Sequence, residues 1–345
     1  MRRPQILLAV IAASATIGLT ACAGGGASDV VAQPGSTAAG AASTTTVNLY
    51  AYAVPKVGFD AVIPAFQKTA AGKGVQFQQS YGASGDQSRK VAAGAPADFV
   101  NFSVEPDITR LVDAGLVDPS WNANEHKGIP FGSVVTIVVR KGNPKGIKDW
   151  DDLLKPGVEV VTPNPFSSGS AKWNLLAPYA AKSAGGTNKA AGLAYIRSLV
   201  TDHVKIQPKS GREATEAFLQ GSGDALLSYE NEALFVAKKG EPVQHVTPPQ
   251  TFKIENPAAV LKDSPNKAAA QAFDDYLYTP EAQKLLAEAG FRPVDATVAK
   301  DYASKFPQPS KLWTIADLGG WKNVDSTLFK KDVGEIATIY DEATK

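Results

Sequence analysis

A buried strand that runs into a serine- and glycine-rich loop and then into a helix is the feature of this sequence that most restricts its fold. The segment is Val160-Val161-Thr162-Pro163-Asn164-Pro165-Phe166-Ser167-Ser168-Gly169-Ser170-Ala171-Lys172-Trp173-Asn174. Such a loop leaves several backbone N–H groups without partners, and the N-terminus of the following helix adds partial positive charge. The segment therefore predicts a strand–loop–helix unit that can bind an anion.

Two further loops of similar composition occur, at Tyr81-Gly82-Ala83-Ser84-Gly85-Asp86 and at Ser210-Gly211-Arg212-Glu213-Ala214-Thr215. A single loop of this kind is weak evidence, because serine and glycine also cap ordinary helices. Three of them in one chain indicate a receptor for a small oxyanion.

Hydrophobic periodicity predicts strands that alternate with helices, which is typical of an α/β fold built on mostly parallel sheets. We predict strands at 47–52, 74–80, 97–102, 133–140, 158–162, 204–206 and 224–229, and helices at 59–70, 87–93, 108–114, 172–181, 190–200, 213–220 and 271–289. Each of the three loops leaves the carboxyl end of a strand, where α/β proteins bind their ligands. If the chain forms two lobes, the loops can converge on the cleft between them.

Composition excludes several other functions. The 345 residues suffice for two domains, and a formal net charge of +1 provides no field that would attract nucleic acid or anionic lipid. The one cysteine rules out a disulfide within the chain and a zinc site made of cysteines. His126, His203 and His245 are far apart and lack metal-ligand spacing, so we expect no metal and no cofactor.

The N-terminus has the pattern of a targeting segment, with Arg2 and Arg3 followed by an apolar stretch at 6–19. Leu19-Thr20-Ala21-Cys22 resembles the lipobox of bacterial lipoproteins. We therefore expect a signal peptide at 1–21, lipidation of Cys22 and a flexible, Gly/Ala/Ser/Thr-rich tether at 22–46. The protein would then be extracytoplasmic and lipid-anchored to the outer face of the cytoplasmic membrane.

Two other classes of function remain open. Ser168 is a candidate nucleophile for a cell-envelope hydrolase or transferase, but the sequence has no Gly-x-Ser-x-Gly elbow, no His-Glu-x-x-His and no P-loop. A purely structural or adhesive lipoprotein is the second of these classes, but such a role would not explain the three donor loops. We expect no enzyme.

Most of the mature chain, from about 47 to 293, resembles bacterial sulfate-binding proteins, the extracytoplasmic receptors of sulfate ABC importers. The resemblance depends on a long series of motifs in order: Gln79–Gly85, Val139–Lys145, Asp149–Leu153, Lys155–Val158, Thr162–Pro165, Ser167–Gly169, Trp173-Asn174, Glu230–Ala233, Tyr278–Gln283 and Phe291–Pro293. It implies a type II periplasmic-binding-protein fold with two lobes, the ligand lying in the cleft between them. Lobe I would comprise 47–132 and 248–345, and lobe II 133–247.

The resemblance also implies a set of sulfate ligands. These are the hydroxyl of Ser84, the side chain of Tyr229, and backbone N–H groups at Ala53 or Val54, Ser168, Gly169, Ser170 and Gly211. Lys172 and Arg212 would stand behind these groups without touching sulfate. The family often has Trp at the position of Tyr229 and a second Gly at the position of Ser170.

Partners follow from the same resemblance. They are sulfate and the permease subunits of an ABC importer, with a lipid anchor as the only membrane contact, no nucleic acid and a monomeric chain. Thiosulfate and molybdate are the alternative ligands, because the same donors fit them. Hinge strands are expected near 133–137 and 246–254, and the segment after Phe291 is expected to form helices across both lobes.

Overall fold

The computed structural model describes residues 45–343, so the predicted signal peptide, Cys22 and nearly all of the tether lie outside the described residues. The strands are β1 Thr45–Tyr52, β2 Val75–Gly82, β3 Phe99–Asn101, β4 Phe131–Arg140, β5 Val160–Val161, β6 Val204–Ile206, β7 Ala225–Tyr229, β8 Val243–Val246, β9 Gln250–Asn256, β10 Ala258–Val260, β11 Arg292–Pro293 and β12 Lys311–Trp313. The helices are α1 Lys56–Phe66, α2 Ser84–Ala92, α3 Glu105–Asp113, α4 Gly169–Lys182, α5 Lys189–Ser198, α6 Gly211–Leu219, α7 Glu230–Lys238, α8 Lys267–Leu277, α9 Pro280–Glu288, α10 Ala296–Asp301, α11 Gly320–Val324 and α12 Glu335–Ala343. No helix of this part of the chain is long and apolar enough to cross a membrane.

The first sheet has four strands in the order β10-β3-β1-β2. Strands β1, β2 and β3 are parallel, and β10 adds an antiparallel edge. Alternate residues of β1, such as Val47 and Leu49, are fully buried against α1 and α8, where Phe59 and Phe273 fill the core. We call this sheet and its helices lobe I.

The second sheet has the strand order β12-β9-β4-β7-β5-β6, and β8 and β11 also pair with β4. Strands β5, β6 and β7 are parallel, whereas β4 pairs with β7 in the antiparallel direction. Helix α4 packs on this sheet through Trp173, whose ring centroid lies 4.7 Å from that of Trp321 in the C-terminal segment. We call this sheet and its helices lobe II.

Strands β4 and β9 pair with each other and connect the lobes. Their register aligns Ser133 with Ile254, and β9 is followed directly by β10 of the first sheet. These strands overlap both segments that the sequence predicts as hinges. The lobe boundaries themselves stay a prediction. Residues after 316, however, share one apolar cluster with α4 and α5 of lobe II, for example through Ile336 and Tyr340.

One predicted element was wrong. The single helix expected at 271–289 is two helices, α8 and α9, separated at Tyr278 and Thr279. Thr279 is extended and its hydroxyl accepts a hydrogen bond from the Ala282 N–H, while Pro280 occupies the first position of α9. Because proline has no N–H to donate and disfavours a helical residue before it, the chain stops one helix and starts another.

All seven predicted helix starts were too late, and three of these differences bear on the site. Helices α2, α4 and α6 begin at Ser84, Gly169 and Gly211, rather than at 87, 172 and 213. The residues expected in loops therefore form the first turns of helices, which fixes the direction of their backbone N–H groups along the helix axes.

Candidate anion-binding site

The three serine- and glycine-rich segments meet where the two lobes face each other. The Gly85 N–H of lobe I donates to the Ser167 carbonyl of lobe II over 3.1 Å. A Cβ placed on Gly211 would lie 3.0 Å from Ser170 Oγ and 3.4 Å from a methyl group of Val54. The structure thus brings the predicted ligand segments of both lobes into one small space.

Helix N-termini provide the donors of this space. Ser84, Gly169 and Gly211 are the first residues of α2, α4 and α6, and Ser170 is the second residue of α4. The first N–H groups of a helix have no partner within that helix, and the helix dipole places partial positive charge on them. Three such ends pointing into one volume favour an anion there without any cationic side chain.

Tyr229 closes the lobe II side of the site at the end of β7. Its hydroxyl lies 2.7 Å from Ser103 Oγ of lobe I, and the side chains of Ser170 and Asn256 lie beside the same oxygen. Burial raises the pKa of Tyr229 well above its ordinary value. The phenol therefore stays protonated at neutral pH and is available as a neutral donor.

Tyr52 is the neighbour of Ala53 and Val54 at the carboxyl end of β1. Its ring centroid lies 6.4 Å from that of Tyr229. Among the described residues, its buried hydroxyl has no hydrogen-bond partner. Burial, together with the nearby Tyr229 and Glu232, raises the pKa of Tyr52, so this phenol is a second neutral donor near the site.

Ser84 makes contacts that its predicted role did not include. Its hydroxyl donates to Asp107 Oδ2 over 2.6 Å and accepts from the Ser103 N–H over 2.9 Å. The hydroxyl proton is thus used within lobe I. The backbone N–H of Ser84, at the start of α2, is the group of this residue that has the geometry of a free helix N-terminus. Donation by the Ser84 hydroxyl to a ligand stays a prediction.

The charged residues next to the segments have partners of their own. The ammonium group of Lys172 pairs with Asp325, and Arg212 pairs with the buried Glu232 over 2.8 Å. Asp86, a carboxylate that would repel an anion if it faced inward, is exposed and pairs with Arg89. The predicted place of Lys172 and Arg212 behind the ligands stays a prediction.

Sequence reasoning missed four residues at the site: Tyr52, Ser103, Asp107 and Asn256. Asn256 Nδ2 donates to the Ser103 carbonyl over 3.1 Å, and the indole N–H of Trp173 donates to the same carbonyl over 2.7 Å. Ser103 lies two residues after β3 and two before α3, the same strand-to-helix position as the three segments. This strand-to-helix position could have identified Ser103 from the sequence. Because no glycine stands next to it, the serine–glycine pattern did not include it.

A separate cavity of about 550 Å³ lies against the hinge strands, lined by residues such as Ser133, Ile254, Arg292 and Phe306. None of the predicted ligand positions lines it. The convergent donors between the lobes, rather than the size of this cavity, therefore identify the candidate site.

The hydrogen bonds of the described residues join Ser168 to no base. Its backbone N–H donates to the Asn164 carbonyl, and its hydroxyl is not paired with a histidine, lysine or carboxylate. Hydroxyl activation of the kind used by serine nucleophiles needs such a neighbour. The arrangement is suited to holding an anion by neutral donors.

A two-lobed α/β fold with donors at the carboxyl ends of its strands, facing each other across a cleft, defines a class of proteins that bind small ligands between lobes. A family model described as "Bacterial extracellular solute-binding protein" matches residues 47–292. The chain belongs to this family.

Several proteins of known name are similar to this chain over most of its length. A solved structure of the sulfate-binding protein SubI from Mycobacterium tuberculosis is 66% identical, with a TM-score of 0.82, over 83% of this chain and 100% of that one. A sulfate-binding protein of Synechococcus elongatus is 38% identical over 95% of this chain and 94% of its own length. A thiosulfate-binding protein of Pseudomonas aeruginosa is 35% identical over 80% and 86%.

Proposed function

We propose that this protein is a receptor that binds sulfate outside the cytoplasm and delivers it to the membrane permease of an ABC importer. The observation that carries the proposal is the convergence of the α2, α4 and α6 N-termini with the neutral donor Tyr229. The sulfate-binding relatives, which match over most of the chain, support the same ligand.

The chemistry of the site favours sulfate over phosphate. Sulfate at neutral pH only accepts hydrogen bonds, whereas phosphate retains a proton and needs an acceptor. Asp107 is the carboxylate next to Ser84, and its two oxygens already accept from Ser84 Oγ and from Arg110 Nη1, over 2.6 and 2.8 Å. The backbone N–H groups proposed as ligands only donate, so the O–H of a protonated phosphate gains no acceptor from them.

The proposed ligands are the groups predicted from the sequence at Ala53 or Val54, Ser84, Gly169, Ser170, Gly211 and Tyr229. Ser168 was predicted as well, but its backbone N–H already donates to the Asn164 carbonyl over 2.9 Å. The proposed groups come from both lobes, so a ligand that contacts all of them holds the lobes together. We infer a hinge closure about β4 and β9, with the closed form presented to the permease.

Isothermal titration of the purified protein with sulfate, phosphate and molybdate at pH 7 tests the proposal. We expect one sulfate site of micromolar or tighter affinity, because several charge-assisted hydrogen bonds of about 1.5–3 kcal/mol each exceed the costs of desolvation and closure. Phosphate should bind at least about 100-fold more weakly, the ratio expected for one unsatisfied buried polar group. Equal affinity for sulfate and phosphate would contradict the proposal.

Thiosulfate is the second candidate, because a thiosulfate-binding protein is 35% identical over most of the chain. The two anions share three oxygens and differ in one terminal atom, which is sulfur in thiosulfate and a weaker acceptor. Adding thiosulfate as a competitor in the same titration distinguishes them. Displacement of thiosulfate by sulfate only at large excess would make thiosulfate the ligand.

We also propose that lipid attached to Cys22 anchors the receptor to the outer face of the membrane and that no enzymatic step is involved. The single cysteine follows an apolar segment at the spacing of a lipobox. In cells fed a labelled fatty acid, the wild-type protein should carry label and partition into detergent, and Cys22→Ala should do neither. A labelled Cys22→Ala protein would contradict the anchor, and Ser36→Ala in the predicted tether is the matched control.

A further inference from the structure

Ser103 of lobe I contacts lobe II through both its backbone and its side chain. It is fully buried, and its backbone carbonyl accepts from Trp173 of lobe II. Its hydroxyl lies 2.7 Å from the hydroxyl of Tyr229, also of lobe II. Its backbone N–H donates to Ser84 Oγ within lobe I. Ser103 therefore links a predicted ligand of each lobe.

A hydroxyl pair leaves open which oxygen donates, and this choice decides what Tyr229 can do. Each hydroxyl has one proton and accepts at its oxygen. If Tyr229 donates to Ser103, its proton is spent within the protein. If Ser103 donates to Tyr229, the phenolic proton is free for another acceptor. An indole N–H in place of the phenol has no such choice, because it only donates.

We propose that Ser103 donates its hydroxyl proton to Tyr229 and so directs the phenolic proton of Tyr229 into the anion site. Resting on the proposed sulfate function, this inference makes Ser103 a positioning residue for the ligand rather than a ligand. A dianion is a stronger acceptor than a serine hydroxyl, so its arrival favours the chain Ser103 to Tyr229 to anion. Hydrogen bonds in such a chain polarise and strengthen one another.

The crowding around the phenol oxygen supports this direction. The side chains of Ser103, Ser170 and Asn256 all lie beside it. All three neighbours have a group that can donate to this oxygen, and burial keeps the phenol protonated. When they donate, the single phenolic proton is left for an acceptor outside this group. Because Ser103 and Tyr229 belong to different lobes, the chain is complete only when the lobes are together. Ser103 thus couples closure of the lobes to the orientation of the Tyr229 hydroxyl as a donor to the ligand.

A double-mutant cycle tests the inference. Sulfate affinity is measured by titration for the wild type, Ser103→Ala, Tyr229→Phe and Ser103→Ala/Tyr229→Phe. Tyr229→Phe should weaken sulfate binding by about tenfold or more, and Ser103→Ala by about fivefold to tenfold, because each removes a donor or its orientation. The double variant should bind no more weakly than Tyr229→Phe alone, since Ser103 acts through the phenol.

A spectroscopic measurement distinguishes whether Ser103 orients the Tyr229 hydroxyl or only packs against it. Sulfate should perturb the near-ultraviolet absorption of tyrosine in the wild type, and Ser103→Ala should reduce this difference signal although Tyr229 is still present. Ser183→Ala is the matched control, because Ser183 is equally buried and its hydroxyl accepts from the Gly186 N–H away from the site. The control should retain both the affinity and the signal.

Two results would overturn the inference. If the losses of the single variants multiply in the double variant, Ser103 acts independently of Tyr229. If Ser103→Ala binds sulfate as tightly as the wild type, it has no role in the site. If the wild type itself gives no heat with sulfate, the proposed function fails first and the inference fails with it, an outcome that the cycle distinguishes from the other two.

Discussion

Replacing Gly169 by alanine should weaken sulfate binding by about 5- to 150-fold while leaving the fold intact. A Cβ at this position would lie 2.7 Å from Ser103 Cβ, 2.9 Å from Ser103 Oγ and 3.1 Å from a methyl group of Val104. Gly169 belongs to lobe II and its neighbours to lobe I, so the methyl group would act as a wedge between the lobes. Forcing an extra methyl group into a packed contact costs about 1–3 kcal/mol, which converts to the stated range of affinities.

Two measurements show whether closure, rather than folding, is affected. Gly169 is the first residue of α4 and has no positive φ, so alanine suits the backbone and should not lower the free energy of unfolding without ligand. Gly192→Ala is the matched control, since its Cβ would lie similarly close, at 2.8 Å, to Ser183 and Tyr179 but within lobe II. Wild-type affinity in Gly169→Ala would mean that the lobes do not need this close approach for binding.

Much of the site was accessible from the sequence because its geometry is local. A serine or glycine at the carboxyl end of a strand, followed by a helix, places backbone N–H groups wherever the fold puts that strand end. The predicted segments at Ser84, Gly169 and Gly211 do meet in the structure. Tyr229 follows the same rule, because it is the last residue of β7 and immediately precedes α7.

What the sequence could not supply was contact between distant segments. Ser103 and Tyr229 are 126 positions apart, and neither residue alone indicates that their hydroxyls pair. Ser84 likewise has an acceptor, Asp107, that a serine–glycine motif does not reveal. Helix boundaries failed for a related reason, since hydrophobic periodicity begins only after the polar first turn that forms the site.

Glu230 is an acidic residue in the first turn of α7, and its burial gives it a second role. Its side chain is 1% exposed at the start of α7 in lobe II and pairs with Arg292 of β11, which is 12% exposed. The two hydrogen bonds, from Nε and Nη2, measure 2.7 and 3.0 Å, and Arg292 also donates to the Pro307 carbonyl. The pair joins the start of a lobe II helix to a strand beside the hinge.

Arg292→Met should therefore lower the free energy of unfolding by about 3–5 kcal/mol. Removing one partner of a buried ion pair leaves the other charge without compensation, and this penalty exceeds the value of the pair itself. Urea denaturation followed by tryptophan fluorescence measures the change. Buried Trp173 and Trp321 report on lobe II in the same experiment.

Two controls separate the buried charge from the loss of an arginine side chain. Glu230→Gln/Arg292→Met removes both charges and should lose less stability than Arg292→Met alone, because no unpaired ion remains. Lys56→Met breaks the exposed pair with Asp60, in which both side chains are about half exposed, at 54% and 51%. It should change the free energy of unfolding by less than about 1 kcal/mol. A loss in Arg292→Met as small as that of Lys56→Met would show that solvent reaches Glu230 and that the pair does not hold α7 to β11.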